Sequence, residues 1–188
     1  MPNLINGNRL DRMAEVSISE ANFQEILPYW RSELWPGRQS LIEETSAINH
    51  IGHIDIKLMG QPRFFWKAKF DDDIVGVLSG QLTASDRFRL RGLWVDRVHR
   101  SQGIGTELVK IALQKANSLS CRWAWTMPRA TTESFYLEKG FQIVCNIEGY
   151  EFGPHSIVEM ELCDNEPDPI KVTCFINKLF IGFTARFR

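Results

Sequence analysis

Arg100, Gly103 and Gly105 form an Arg-x-x-Gly-x-Gly run between an apolar, strand-like stretch, Leu90–Val95, and a helix-like one that begins at Ile104. The first turn of a helix has unpaired N–H groups and a positive dipole end, so this arrangement predicts an anion site. Glycines at 103 and 105 let a phosphate approach the backbone, and Arg100 adds a fixed positive charge. The run is not a Walker loop, since no Lys-Ser/Thr follows, and it lacks the third glycine of a dinucleotide fingerprint. A second distinctive element is Ser134-Phe135-Tyr136-Leu137-Glu138-Lys139-Gly140-Phe141.

Arg87, Arg89 and Arg91 alternate along a strand-like segment and so share one face. Three readings compete: a solvated face, pairing with the acidic run Asp71–Asp73, or recognition of an anionic group on a substrate, such as a carboxylate. His50, His53 and Asp55 are weak metal candidates with no fourth partner, and we assign no metal. Cysteines at 121, 145, 163 and 174 contain no Cys-x-x-Cys pair. They read as free, mostly buried thiols in a reducing, cytoplasmic compartment.

The elements that must position these groups follow from periodicity. Val16–Ile18 is a short strand candidate. Ala21–Leu34 carries Phe23, Ile26, Leu27, Trp30 and Leu34 at helical spacing, with Pro28 set to kink or shorten it. Gln39–Asn49 is expected to be a second helix. Phe64–Phe70 and Ile74–Leu82 read as a hairpin around an acidic turn, and Phe88–Val95 as a further strand. A helix follows from Ile104, then a Trp-rich strand Arg122–Met127, a short helix Thr132–Lys139 stopped by Gly140, and strands Phe141–Asn146 and Ser156–Cys163. The expected order, β-α-α-β-β-β-α-β-α-β-β, is a mixed sheet with helices on its faces, an α/β (α+β) domain.

The 188 residues suit one domain with extensions: a flexible 1–12, a domain over 13–163, and a linker with an apolar, basic arm over 164–188 that packs on the domain or on a partner subunit in a homodimer. The formal net charge of −1 argues against an electrostatic nucleic-acid binder. No apolar run approaches the roughly 20 residues of a membrane span. The six tryptophans mostly fall in apolar patterns and read as core, with Trp94 and Trp125 as cleft candidates.

The strand-turn-helix at Arg100–Gly105 resembles the pyrophosphate-binding motif of the GNAT N-acetyltransferase superfamily, and Phe-Tyr-x-x-x-Gly-Phe at 135–141 resembles its last-helix signature. The resemblance implies a mostly antiparallel sheet splayed between Leu90–Val95 and Arg122–Met127, with the pantetheine arm of acetyl-CoA, the cosubstrate, in the gap. It places the pantetheine beside Leu93, Trp94 and Val95. The pyrophosphate falls on Arg100, Ser101, Gln102, Gly103, Ile104, Gly105 and Thr106. The backbone N–H of Leu93 falls where the family polarises the thioester carbonyl, and Tyr136 where many members protonate the departing thiolate. Arg129 stands where many members carry Asn and contributes to cofactor binding.

Arg89 stands where some members hold a Glu general base, and that strand has no carboxylate. Glu33, Glu43, Asp55 and Glu161 are the alternatives for a base. Arg89 and Arg91 are the candidate substrate-binding pair. The implied activity is acetyl transfer to the primary amine of a small molecule or peptide, by direct attack in a ternary complex. The rival readings are a catalytically silent acyl-CoA-binding module and a protein-directed acyltransferase acting in a complex.

Overall fold

A computed structural model of the chain describes residues 16–162. The terminal segments 1–12 and 164–188, with Cys163 and Cys174, lie outside the described residues. Seven strands form one sheet in the order β1-β2-β3-β4-β5-β7-β6: β1 Ser17–Ala21, β2 Arg63–Phe70, β3 Asp73–Ala84, β4 Arg87–Val95, β5 Trp123–Thr126, β6 Gln142–Ile147 and β7 His155–Glu161. All pairings are antiparallel except β4–β5. Among the described residues three α-helices accompany them, α1 Phe23–Tyr29, α2 Ile104–Ser118 and α3 Glu133–Leu137. The mixed, mostly antiparallel sheet with flanking helices is the architecture expected from the sequence. Among the described residues no helix is long and apolar enough to cross a membrane.

Adjacent residues of β3 show how the sheet builds two cores. Leu78 packs with Leu90, Leu108, Val109 and Ala112 on the α2 side, while Val77 packs with Ile26, Trp30 and Trp94 on the α1 side. Period-two alternation in the strand thus serves both faces. The stripe Ile104, Leu108, Val109, Ala112 and Ala116 is the buried face of α2. Burying Ile104, Leu108 and Val109 contributes about 1.5–3 kcal/mol each, and the two alanines less.

Helix α1 opens with a capping box that sequence reading missed. Asn22 Oδ1 accepts from Glu25 N at 3.1 Å, and Glu25 Oε2 accepts from Asn22 N at 2.9 Å. Past Pro28, which has no N–H to give, the chain continues as a wider π turn, Trp30–Leu34.

The second helix expected over Gln39–Asn49 does not form. Tertiary contacts hold this segment as an irregular loop. Thr45 hydrogen-bonds Gln81 in the interior, and Arg91 Nη1 donates to the carbonyls of Glu43 at 2.8 Å and Glu44 at 3.3 Å. The Glu43 and Glu44 carbonyls accept from arginine here rather than from a helical ladder. Farther on, Ile56–Gly60 forms a short 3₁₀ turn capped by Asp55, which accepts from Lys57 N at 3.0 Å.

Candidate active site

The chemistry-bearing residues meet because two strands part. β4 and β5 pair only through Arg87–Trp123, Phe88–Ala124 and Arg89–Trp125, and beyond Arg89 they diverge. Next to the divergence β4 bulges. Its partners on β3 step from Val77↔Trp94 to Ser79↔Arg91, so Gly92 and Leu93 stand together against Leu78. Gly92 takes φ +70°, a conformation that favours glycine, as a bulge of this kind requires. A glycine inside a strand pattern is a bulge signal, and Gly92 carries it here.

The gap is a cleft with a volume of about 950 Å³. Its lining includes Leu93, Trp94 and Val95 on β4, Arg100, Ser101, Gly103, Ile104, Gly105 and Thr106 at the start of α2, Arg129 after β5, Tyr136 on α3, and Arg89 and Arg91. Gln102 is the exception among the expected site residues. Its side chain turns back to donate to the Val98 carbonyl at 3.2 Å. Of the two tryptophans proposed as lining, Trp94 lines the cleft. Trp125 is fully buried, and Trp35 lines the cleft in its place.

The turn before α2 takes left-handed backbone at two positions, Ser101 with φ +61° and Gly103, at the N-cap of α2, with φ +85°. A Cβ built on Gly103 would meet no protein atom within 4 Å, so the space beside it opens to the cleft. At Gly105 a Cβ would make ordinary contact with Phe135 at 3.4 Å. Arg100 is anchored by Nε donation to the Val95 carbonyl at 3.0 Å.

Tyr136 is 5% exposed, in edge contact with Phe135 and Phe141. Burial raises its pKa well above the usual phenol value, and the Thr126 side chain beside it offsets this only in part. The phenol therefore keeps its proton throughout the physiological range. Arg129 ties the two walls, with Nη2 donating to the Leu34 carbonyl at 2.5 Å and its guanidinium 4.8 Å from the Phe152 ring centre. Burial lowers its pKa.

The arginine face differs from two of its three sequence readings. Arg89 and Arg91 are buried, so the face is not solvated. Nor does it pair with Asp71–Asp73. In the antiparallel register the acidic turn lies at the Val95 end of β4, whereas Arg87 stands opposite Ala84 at the other end. Each arginine instead sits over indole rings: Arg87 over Trp123, Arg89 over Trp125, and Arg91 over both Trp30 and Trp35.

Of the carboxylates considered as bases, Glu33 lines the cleft. Glu161 pairs with Arg122 at 3.0 Å, and Asp55 caps a turn. The structure adds a group the sequence did not single out, His155. It lines the cleft at the start of β7, bridged to Arg129. Its Nδ1 lies 2.8 Å from the Gly153 carbonyl. A carbonyl only accepts, so Nδ1 carries the hydrogen and Nε2 is left with its lone pair. Desolvation, and the nearby Arg129, lower the imidazole pKa against the opposing pull of the Gly153 carbonyl. No local motif marks a lone histidine at a strand start, so sequence had no signal for it. Among the described residues no group of three His, Cys, Asp or Glu side chains is placed to hold a metal ion.

A sheet splayed between β4 and β5, with a glycine-bearing turn at the head of the following helix, is the architecture of an acetyltransferase family. The sequence model of the acetyltransferase (GNAT) family matches residues 25–141, and the chain belongs to that family. Solved structures share the fold. Ard1 from Thermoplasma volcanium is 15% identical with a TM-score of 0.60, over 79% of this chain and 98% of that one. The ribosomal-protein-S18-alanine N-acetyltransferase from Escherichia coli is 15% identical with a TM-score of 0.60, over 82% and 98%. An aminoglycoside 6'-N-acetyltransferase complexed with coenzyme A is 17% identical with a TM-score of 0.60, over 81% and 99%.

Proposed function

We propose that this acetyltransferase moves the acetyl group of acetyl-CoA to a primary amine by direct attack within a ternary complex. The observation that carries the reading is the convergence on one cleft of the bulged β4 backbone, the turn before α2 and the buried, protonated Tyr136. The donor supplies an activated acyl thioester; the protein supplies position and protons. Backbone N–H groups from Ser101 to Thr106, with Arg100, hold the pyrophosphate. The β4 edge at Leu93–Val95 offers its amides to the pantetheine, as to an added strand. The Leu93 N–H faces the thioester oxygen, an oxyanion-type role. Tyr136 gives its phenolic proton to the sulfur as coenzyme A leaves.

His155 is the proton acceptor for the attacking amine. It is neutral near pH 7, fixed in one tautomer, and has Nε2 unprotonated. No cysteine lies in either motif, which leaves an acyl-cysteine route without support.

The test has two parts. Acetyl-CoA and free coenzyme A should each raise the melting temperature, since a ligand selective for the folded state stabilises it by about 2.7 kcal/mol at a hundredfold excess over Kd. Mass spectrometry of amines, amino acids and peptides incubated with protein and acetyl-CoA should show products heavier by one acetyl group. Binding without any acetylated product would favour a silent acyl-CoA-binding module.

A further inference from the structure

Arg89 and Arg91 are buried cations without a counter-charge. They are 5% and 8% exposed, yet among the described residues neither lies within ion-pair distance of a carboxylate. The contrast stands on the same strand face. Arg87, also over a tryptophan, is paired with Glu159 at 2.9 Å. Of the three arginines on this face, the two that line the cleft are the ones without an ion pair among the described residues.

Their existing partners are all neutral. Arg89 sits 4.9 Å from the Trp125 ring centre, and its Nη1 donates to the Ser46 hydroxyl. The acceptor nearest Nη2 is the Met127 sulfur at 3.7 Å, and Nε has no partner. Arg91 lies between Trp30 and Trp35, at 4.7 and 4.9 Å from their ring centres, with Nη1 on the Glu43 and Glu44 carbonyls. Burial lowers the Arg89 pKa to about 10. Burial first, then repulsion from Arg89 and Arg38, lowers that of Arg91, against a small opposing effect of Glu43. Glu151, a carboxylate of the same cleft, is already engaged by Gln39 N at 2.7 Å and Ser40 Oγ at 3.4 Å. A guanidinium does not shed its proton to relieve such a site, so the cost falls on stability until an anion enters.

We infer that Arg89, backed by Arg91 and Arg38, reads an oxyanion carried by the acceptor amine, a carboxylate or a phosphate on the molecule to be acetylated. The planar fork of a guanidinium suits either group, and the indole walls flank the stem between oxyanion and amine. This rests on the acetyl-transfer reading above.

The test compares amines matched except for charge, at saturating acetyl-CoA with products read by mass spectrometry: glycine against glycinamide, β-alanine against β-alaninamide, and O-phosphoethanolamine against ethanolamine. At least one oxyanion member should exceed its neutral partner by tenfold or more in kcat/KM, and the pair that does so identifies the group. Arg89→Gln should erase that preference, keep the melting shift given by acetyl-CoA, and melt no lower than wild type, because it removes an uncompensated buried charge. Equal or inverted preference in every wild-type pair overturns the inference, and needs no variant to be read. So does a preference that survives in Arg89→Gln, or binding of acetyl-CoA with no oxyanion-bearing amine acetylated. Absence of any melting shift with acetyl-CoA in the wild type instead defeats the acetyltransferase reading beneath it.

Discussion

The indole of Trp30 donates its Nε1–H to the carbonyl of Gly92 at 2.8 Å, and its ring lies where a Cβ on Gly92 would come within 2.3 Å. The π turn after α1 and the bulge of β4 are thereby locked to each other. Trp30 is fully buried, so its hydrogen bond replaces a water partner that is not there to compete. The bulge that sets Leu93 at the cleft is held by Trp30 from the α1 side of the sheet.

Gly92→Ala should therefore destabilise the fold and disturb the site together. A positive φ costs a non-glycine residue about 1–2 kcal/mol, and the clash with Trp30 adds to it. At about 2–4 °C per kcal/mol for a chain of this size, the melting temperature should drop by several degrees. An alanine variant with wild-type melting and wild-type kcat would show that the bulge does not matter.

Gly103→Asp should abolish acetyl-CoA binding and cost the fold about 1–2 kcal/mol, since φ +85° strains a non-glycine residue there as well. A Cβ there meets no protein atom within 4 Å, and the carboxylate would occupy the space proposed for the pyrophosphate. Arg100→Ala should weaken binding by about 1–3 kcal/mol, the range for a charge-assisted hydrogen bond. Calorimetric titration with coenzyme A decides both, and unchanged affinity in Gly103→Asp would move the anion site elsewhere.

Tyr136→Phe should lower kcat with acetyl-CoA affinity nearly unchanged, since ring and packing survive. General acid help is commonly worth about 10²–10⁴-fold, and a thiolate leaving group needs less of it than most. Because burial raises the phenol above its ordinary pKa of about 10, no alkaline decline below that pH should come from Tyr136. A wild-type alkaline limb near pH 9 that vanishes in the Phe variant would contradict this environment.

For His155 the sign runs the other way. Its pKa is lowered, so the neutral, proton-accepting form dominates at pH 7, and kcat at saturating amine should fall only as the pH drops below about 6.5. His155→Gln should remove that acid limb and lower kcat about 10²-fold or more. A variant that retains both the rate and the limb would leave the proton to water or to Glu33.

The sequence by itself determined the hairpin β2–β3, helix α2 and the glycine turn, because each depends on periodicity or on glycine within a few residues. The family resemblance carried by its two motifs implied that Tyr136 and the turn share one cleft, and both line it. Gln39–Asn49 shows where local information ended. Its apolar spacing suited a helix, but the carbonyls of Glu43 and Glu44 are held by Arg91, from a strand much later in the chain. Only the tertiary structure decided that Arg89 and Arg91 are buried without counter-charge while Arg87 is paired, because alternation assigns a face but not what covers it. The same holds for His155, whose tautomer and pKa come from Gly153, desolvation and Arg129 rather than from any neighbouring pattern. Burial and charge pairing depend on contacts distant in sequence, which only folding brings together.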